Sequence, residues 1–234
     1  MEENSNMTAE RSLEIITKQI EQSRRVVSKT TGQSLYISGI CIMCTAVLVA
    51  VINIVTMSQG MIGIGHVLWF ALPVVIWLLS RKYIKDREHT PVSLVSSMIA
   101  KTWITFGYFG IGFFVIALIW GILAPRLLTP SEYVASQIRV APVIVLMMGM
   151  AITITGHILK QRWLVTFGIV AGLFCFAWEH FHIGMGIVMA FISNGSSYSL
   201  TAAAVNASLP CITIFIFALV GLLLPGMMLK NQSL

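Results

Sequence analysis

The sequence predicts an all-α polytopic membrane protein. Six transmembrane helices follow an N-terminal amphipathic cytoplasmic helix, and both termini are cytoplasmic. Three observations carry this. First, 57% of the 234 residues are hydrophobic and only 10% are charged, with a mean hydropathy of +0.87; soluble domains carry about 25% charged residues. A water-soluble chain of this size lacks the polar surface to cover so much apolar area, so lipid is the expected solvent. Second, six apolar runs recur, at 35–57, 64–80, 102–123, 140–159, 163–178 and 210–229. Third, the basic residues are one-sided. With the N-terminus inside, Arg11, Lys18, Arg24, Arg25, Lys29, Arg81, Lys82, Lys85, Arg87, Lys101, Lys160, Arg162 and Lys230 all fall on the inner side, and only Arg126 and Arg139 fall outside. That is the positive-inside pattern.

Residues 1–7 are polar. Thr8 suits an N-cap for a helix over 8–29. Leu13, Ile16, Ile20 and Val27 recur at helical spacing as one narrow stripe. Arg24, Arg25 and Lys29 lie at the C-terminal end, where cations suit the helix dipole. The stripe suits the inner leaflet beside anionic lipid, a docked partner or second copy, or the bundle's own end. Gly32 is expected to end this helix. The long polar start leaves no pattern of a cleavable signal, so the first span is expected to act as an uncleaved insertion signal.

The first span, 35–57, is long enough for the roughly 30 Å apolar core. The uncharged turn 58–63 folds it back on the second span, which Pro73 is expected to kink. The loop 81–89, RKYIKDREH, is the densest charge cluster in the chain. Thr90 and Pro91 then suit the start of a helix running to 123, roughly 50 Å long. Residues 92–100 should therefore project past the bilayer. The stretch 124–139, with Pro125 and Pro130, reads as a polar loop, and 160–162 as a short basic turn. Between 179 and 209, the apolar run 183–192 is too short to span. It reads as re-entrant, interfacial, or an extension of the fifth span. The sixth span is expected to begin near Pro210, with Pro225 and Gly226 breaking its last turn before a tail at 231–234. Trp77, Trp103 and Trp163 fall near the inner interface, Trp120 and Trp178 near the outer one, and Trp69 about a turn below it.

Four stretches carry a resemblance. The leader SLEIITKQIEQSRR (12–25), the segment 32–39, the run ITGHILK (154–160) and the closing LLLPGMMLK (222–230) together resemble a family of small six-span proteins of the bacterial inner membrane. The resemblance implies that fold and that membrane. The family has no established activity, so it implies nothing catalytic. The long 179–209 region stands where a short link is expected.

Chemistry-bearing residues are sparse. Cys41, Cys44, Cys175 and Cys211 lie in or at the start of apolar runs and read as small apolar residues. Cys41 and Cys44 at i, i+3 share a helix face, and with thirteen methionines they allow a soft path for Cu(I); methionine is also ordinary apolar filler. Glu179, His180 and His182 cluster at the outer end of the fifth span. They are the weak candidates for a metal or proton site, but histidines at i, i+2 do not share a helix face. The cluster reads as a polar interfacial cap, and no catalytic residue, metal or cofactor is assigned. His66, His157 and Asn53 read as helix-packing residues, with Asn53 deep enough to bond across helices. Gly168-x-x-x-Gly172 permits close backbone approach.

No hydrolase, zinc-protease or phosphate-loop motif is present. The net charge of +6 comes without a basic face interleaved with aromatics, so direct nucleic-acid binding is not expected. The first functional reading is a non-enzymatic docking or regulatory membrane protein. Its docking candidates are Leu13, Ile16, Ile20, Arg24, Arg25, Val27, Arg81, Lys82, Lys85 and Arg87, with 92–100 beside them. Its partners are the lipid bilayer and a cytoplasmic or membrane protein; its oligomeric state stays open. The second reading is a small transporter or transporter subunit, with Pro73, Pro225 and 179–209 forming discontinuous helices. The third is a membrane enzyme acting through Glu179, His180 and His182.

Overall fold

A computed structural model describes residues 2–57, 64–83, 94–129, 139–181, 183 and 200–231. The described residues form helices and no strand. In order they are α1 (Glu2–Met57), a 3₁₀ turn (Ile64–Val67), α2 (Leu68–Tyr83), α3 (Leu94–Leu127), α4 (Val140–Leu159) and α5 (Arg162–His180). The last three pieces, α6 (Leu200–Phe217), a π segment (Ala218–Leu223) and α7 (Leu224–Asn231), follow without interruption. Six stretches are long and apolar enough to cross a membrane: Arg11–Thr56, Ile64–Tyr83, Leu94–Leu127, Val140–Leu159, Arg162–His180 and Ser208–Asn231. Each covers one predicted span.

Several helix boundaries differ from expectation. Thr8 does not cap the N-terminal helix, which begins at Glu2. Gly32 does not end the N-terminal helix. α1 runs through it as one helix of 56 residues, roughly 84 Å long at 1.5 Å per residue. Gly32 is instead a contact point: a Cβ there would lie 2.6 Å from Leu229 Cβ and 2.9 Å from Lys230 N. Helices that must approach this closely take glycine at the crossing. The polar loop expected from 124 starts later, because α3 continues through Ala124 and Pro125 to Leu127 and closes with Leu128 N–H donating to Ala124 O at 3.0 Å. Pro125 removes the backbone bond to Gly121 O, and the helix ends two residues beyond it.

The last span differs as well. The candidate span starts at Ser208, near Pro210 as expected, but helix extends upstream to Leu200, so Pro210 lies inside it. Pro225 and Gly226 do not break the final turn; both are buried within α7. A proline ring collides with the carbonyl four residues back in an α-helix. Here the preceding six residues form wider π turns, with Leu224 N–H donating to Leu219 O. The extra width accommodates the ring without ending the helix. The turn 58–63, residues 84–93 and the run 184–192 lie outside the described residues.

The core forms between α1 and the last three pieces. Val27, Leu35 and Ile42 of α1 are buried in one cluster with Phe217, Ala218, Leu222 and Leu229. Two glycines of α1 mark the crossing: Gly32 against Gly226, and Gly39 against Leu223. α4 and α5 form a second extensive pair. Their turn is closed by Lys160 in the left-handed region, φ 56°, with Lys160 N–H to His157 O and Gln161 N–H to Gly156 O. This is the usual way a helix end satisfies its last carbonyls. α2 and α3 are peripheral. Half of α4's most apolar stretch is buried, but only 6% of α3's, so α3 is the least covered of the six, although it packs along α4. It touches α2 through the edge-to-face rings of Phe70 and Phe114, with centroids 5.1 Å apart.

Candidate functional site

Antiparallel contacts fix which residues share an end of the bundle. Gly32 meets Leu229 and Lys230, the Ala171 methyl lies beside Gly221, and Glu179 meets Thr213. The first residues of α5 and the last of α7 therefore lie level with Gly32. The C-terminal end of α2 lies there too, because its first turn meets α1 at Asn53. Arg24, Arg25, Lys29, Arg81, Lys82, Lys160, Arg162 and Lys230 thus gather at one end. Aromatic faces hold some of them: Arg81 over Trp77 at 4.4 Å, Lys82 over Tyr83 at 5.7 Å and Lys230 over Tyr36 at 5.5 Å.

From this basic end α1 continues outward. Residues 11–22 are exposed on every side. Leu13, Ile16 and Ile20 are 64%, 51% and 48% exposed, whereas Val27, next in the same stripe, is 4% exposed. The stripe that packs inside the bundle therefore runs on past it uncovered. At its foot, the Nε of Arg24 is buried without a hydrogen-bond partner. Of the docking candidates, Leu13, Ile16, Ile20, Arg24, Arg25, Arg81 and Lys82 are brought to this end. Val27 is absorbed into the core, and Lys85 and Arg87 lie outside the described residues.

The Glu179 cluster does not assemble as a site. Glu179 is 7% exposed and faces α6, where Thr213 Oγ1 donates to its Oε2 at 2.8 Å. His180 is exposed and stacks on Phe176, with centroids 5.2 Å apart and 10° between planes. Successive helix residues are about 100° apart, so the carboxylate and the imidazole turn away from each other. His182 lies outside the described residues. Among the described residues no group of three or more His, Cys, Asp or Glu could hold a metal ion. Cys41 and Cys44 share a face of α1 but differ in exposure: Cys41 is buried, Cys44 is exposed, and all four cysteines are free. The edge of the α1 contact runs between the two, so one thiol is covered and the other is not.

Asn53 and His66, singled out separately in the sequence, meet. Asn53 is 2% exposed; its Oδ1 accepts from Gly65 N–H at 3.1 Å and its Nδ2 lies 3.4 Å from His66 Nε2. Thr213 escaped the sequence reading. A hydroxyl in an apolar run facing a carboxylate at a neighbouring helix end is the signal that could have found it.

These elements define an all-helical protein of membrane type with a basic end and a projecting helix. Neither protein-family models, nor curated proteins, nor solved structures give a match to the chain.

Proposed function

We propose that this is an integral protein of the bacterial inner membrane, with both termini cytoplasmic. It acts as a non-enzymatic docking or regulatory protein through its basic cytoplasmic face. The observation that carries this reading is the continuity of α1 through Gly32. An uninterrupted helix whose lower half spans the bilayer directs its upper third away from the membrane. It does not lay that part along the leaflet. The exposed Leu13–Ile16–Ile20 stripe then waits for protein. A straight parallel pairing of two copies through this stripe is disfavoured. The stripe stands above the face of α1 that packs on α6 and α7, so a partner copy's span would occupy the space those helices fill. A cytoplasmic segment carrying apolar residues and a carboxylate suits the stripe, the buried Arg24 Nε at its foot and the surrounding cations.

The test is a mild-detergent pull-down from native membranes, wild type against a Leu13→Ser, Ile16→Ser, Ile20→Ser variant, read by mass spectrometry. Covering an apolar side chain of this size contributes about 1.5–3 kcal/mol, so the triple variant should weaken association about a hundredfold or more. Protein level and insertion should not change, since all three residues are exposed. A partner retained at wild-type stoichiometry would refute the reading. The buried Glu179–Thr213 pair favours the alternative of a small transporter. That reading predicts substrate-dependent thermal stabilisation together with a lone band in the pull-down.

A further inference from the structure

The end of the bundle opposite the α1 extension carries a joint that docking does not use. The turn Ile64–Val67 leads into α2, and the first N–H groups of a helix have no partner one turn back. Asn53, on the neighbouring helix, supplies one: its Oδ1 accepts from Gly65 N–H at 3.1 Å. The approach is close enough that a Cβ on Gly65 would lie 2.7 Å from Asn53 Oδ1 and 2.8 Å from Val49 O. The same amide places Nδ2 3.4 Å from His66 Nε2.

Chemistry fixes the orientation of this amide. A backbone N–H only donates, so the oxygen of Asn53 faces Gly65 and its NH₂ faces His66. His66 Nε2 must then accept, with the ring proton on Nδ1. A neutral imidazole can do this; an imidazolium has no acceptor. After protonation, N–H faces N–H. Flipping the amide would give His66 an acceptor but would take it from Gly65. Either way a buried polar group loses its partner.

We propose that Asn53, Gly65 and His66 form an acid-sensitive latch, which ties the start of α2 to α1 while His66 is neutral and releases it when His66 takes up a proton. Among the described residues packed against this joint, the titration falls to His66. Residues 46–57 of α1, the sequence 58–63 and residues 68–80 of α2 contain no titratable side chain. From α6, Cys211 packs in the same apolar cluster as Val49, Leu68 and Trp69, and an ordinary thiol does not titrate where imidazole does. Glu179 of α5 lies beyond it, bonded to Thr213. The closed joint binds fewer protons than the open one, so its stability rises with pH. It should be present near pH 7.5 and lost as the pH falls through the imidazole range towards about 5. The latch does not depend on the docking reading, although it sits on the helix that carries the docking stripe.

The test is hydrogen exchange at the Gly65 amide in the full-length protein in lipid nanodiscs, corrected for intrinsic pH dependence. Wild type should lose about tenfold in protection between about pH 7.5 and 5, the factor that one lost hydrogen bond gives. His66→Gln, which accepts from Asn53 at any pH, should stay flat. Asn53→Asp should reverse the trend, because a carboxylate accepts from both Gly65 N–H and an imidazolium. Equal loss in wild type and His66→Gln would overturn the proposal, as would a loss in Asn53→Asp that follows wild type. Should Asn53→Asp fail to fold, the comparison of wild type with His66→Gln decides alone.

Discussion

Gly149→Ala is expected to destabilise the protein by about 1–3 kcal/mol, while Gly107→Ala should leave it unchanged or slightly more stable. Both are helical glycines in apolar spans, and only their surroundings differ. A methyl on Gly149 would lie 2.7 Å from Gly172 Cα and 2.8 Å from Gly168 O. Both obstacles are backbone, so no rotamer change relieves them, and α4 and α5 must move apart. Buried partners across this pair, Val145, Ile152 and Leu164 among them, would lose close packing together. Gly107 has nothing within 4 Å of the same position, and a helix interior gains up to about 1 kcal/mol when glycine becomes alanine. Thermal unfolding in one detergent checks the contrast. A cost of about 2 kcal/mol lowers Tm by roughly 4–8 °C in a chain of this size. Equal midpoints for the two variants would mean that the α4–α5 crossing is not set by its glycines.

What the sequence revealed and what it hid follow from the range over which each signal acts. Apolar length against bilayer thickness is local, so the six spans were legible, and α4 begins and ends where predicted, at Val140 and Leu159. Gly32 was not legible. A glycine that ends a helix and one that admits another helix look alike in sequence. What separates them is Leu229 and Lys230, at the other end of the chain. Pro225 misled for a related reason: the π turns that accommodate it lie upstream in an unbroken apolar run that carries no mark of them. Glu179 was grouped with His180 and His182 because they are adjacent in the chain. The helix puts its carboxylate inside, and its bonded partner is 34 residues away. Asn53 and His66 were recognised singly, and only the fold-back of α2 on α1 makes them a pair.

Thr213→Val should cost more than removing both members of its pair. Valine matches threonine in shape and fits the 1% exposed site, so packing is kept and the hydroxyl alone is lost. That hydroxyl has one proton and two acceptors in reach, Glu179 Oε2 at 2.8 Å and Leu209 O at 3.1 Å. The carbonyl is otherwise served by its helix; the carboxylate, 7% exposed, is left without this donor. An unsatisfied buried group of this kind costs about 1–3 kcal/mol, and more when charged. Glu179→Leu combined with Thr213→Val removes donor and acceptor together and should regain most of the loss, since an apolar pair of similar volume is often at least as stable. Thermal unfolding of wild type, both single variants and the double variant gives the coupling directly. Additive costs would show that Glu179 does not depend on Thr213. The double variant then separates stability from use, because polar groups kept inside membrane helices at a cost tend to be functional. If it unfolds like wild type yet loses partner binding or substrate-dependent stabilisation, the carboxylate serves function. If it keeps both, Glu179 and Thr213 are a packing device at the end of α5.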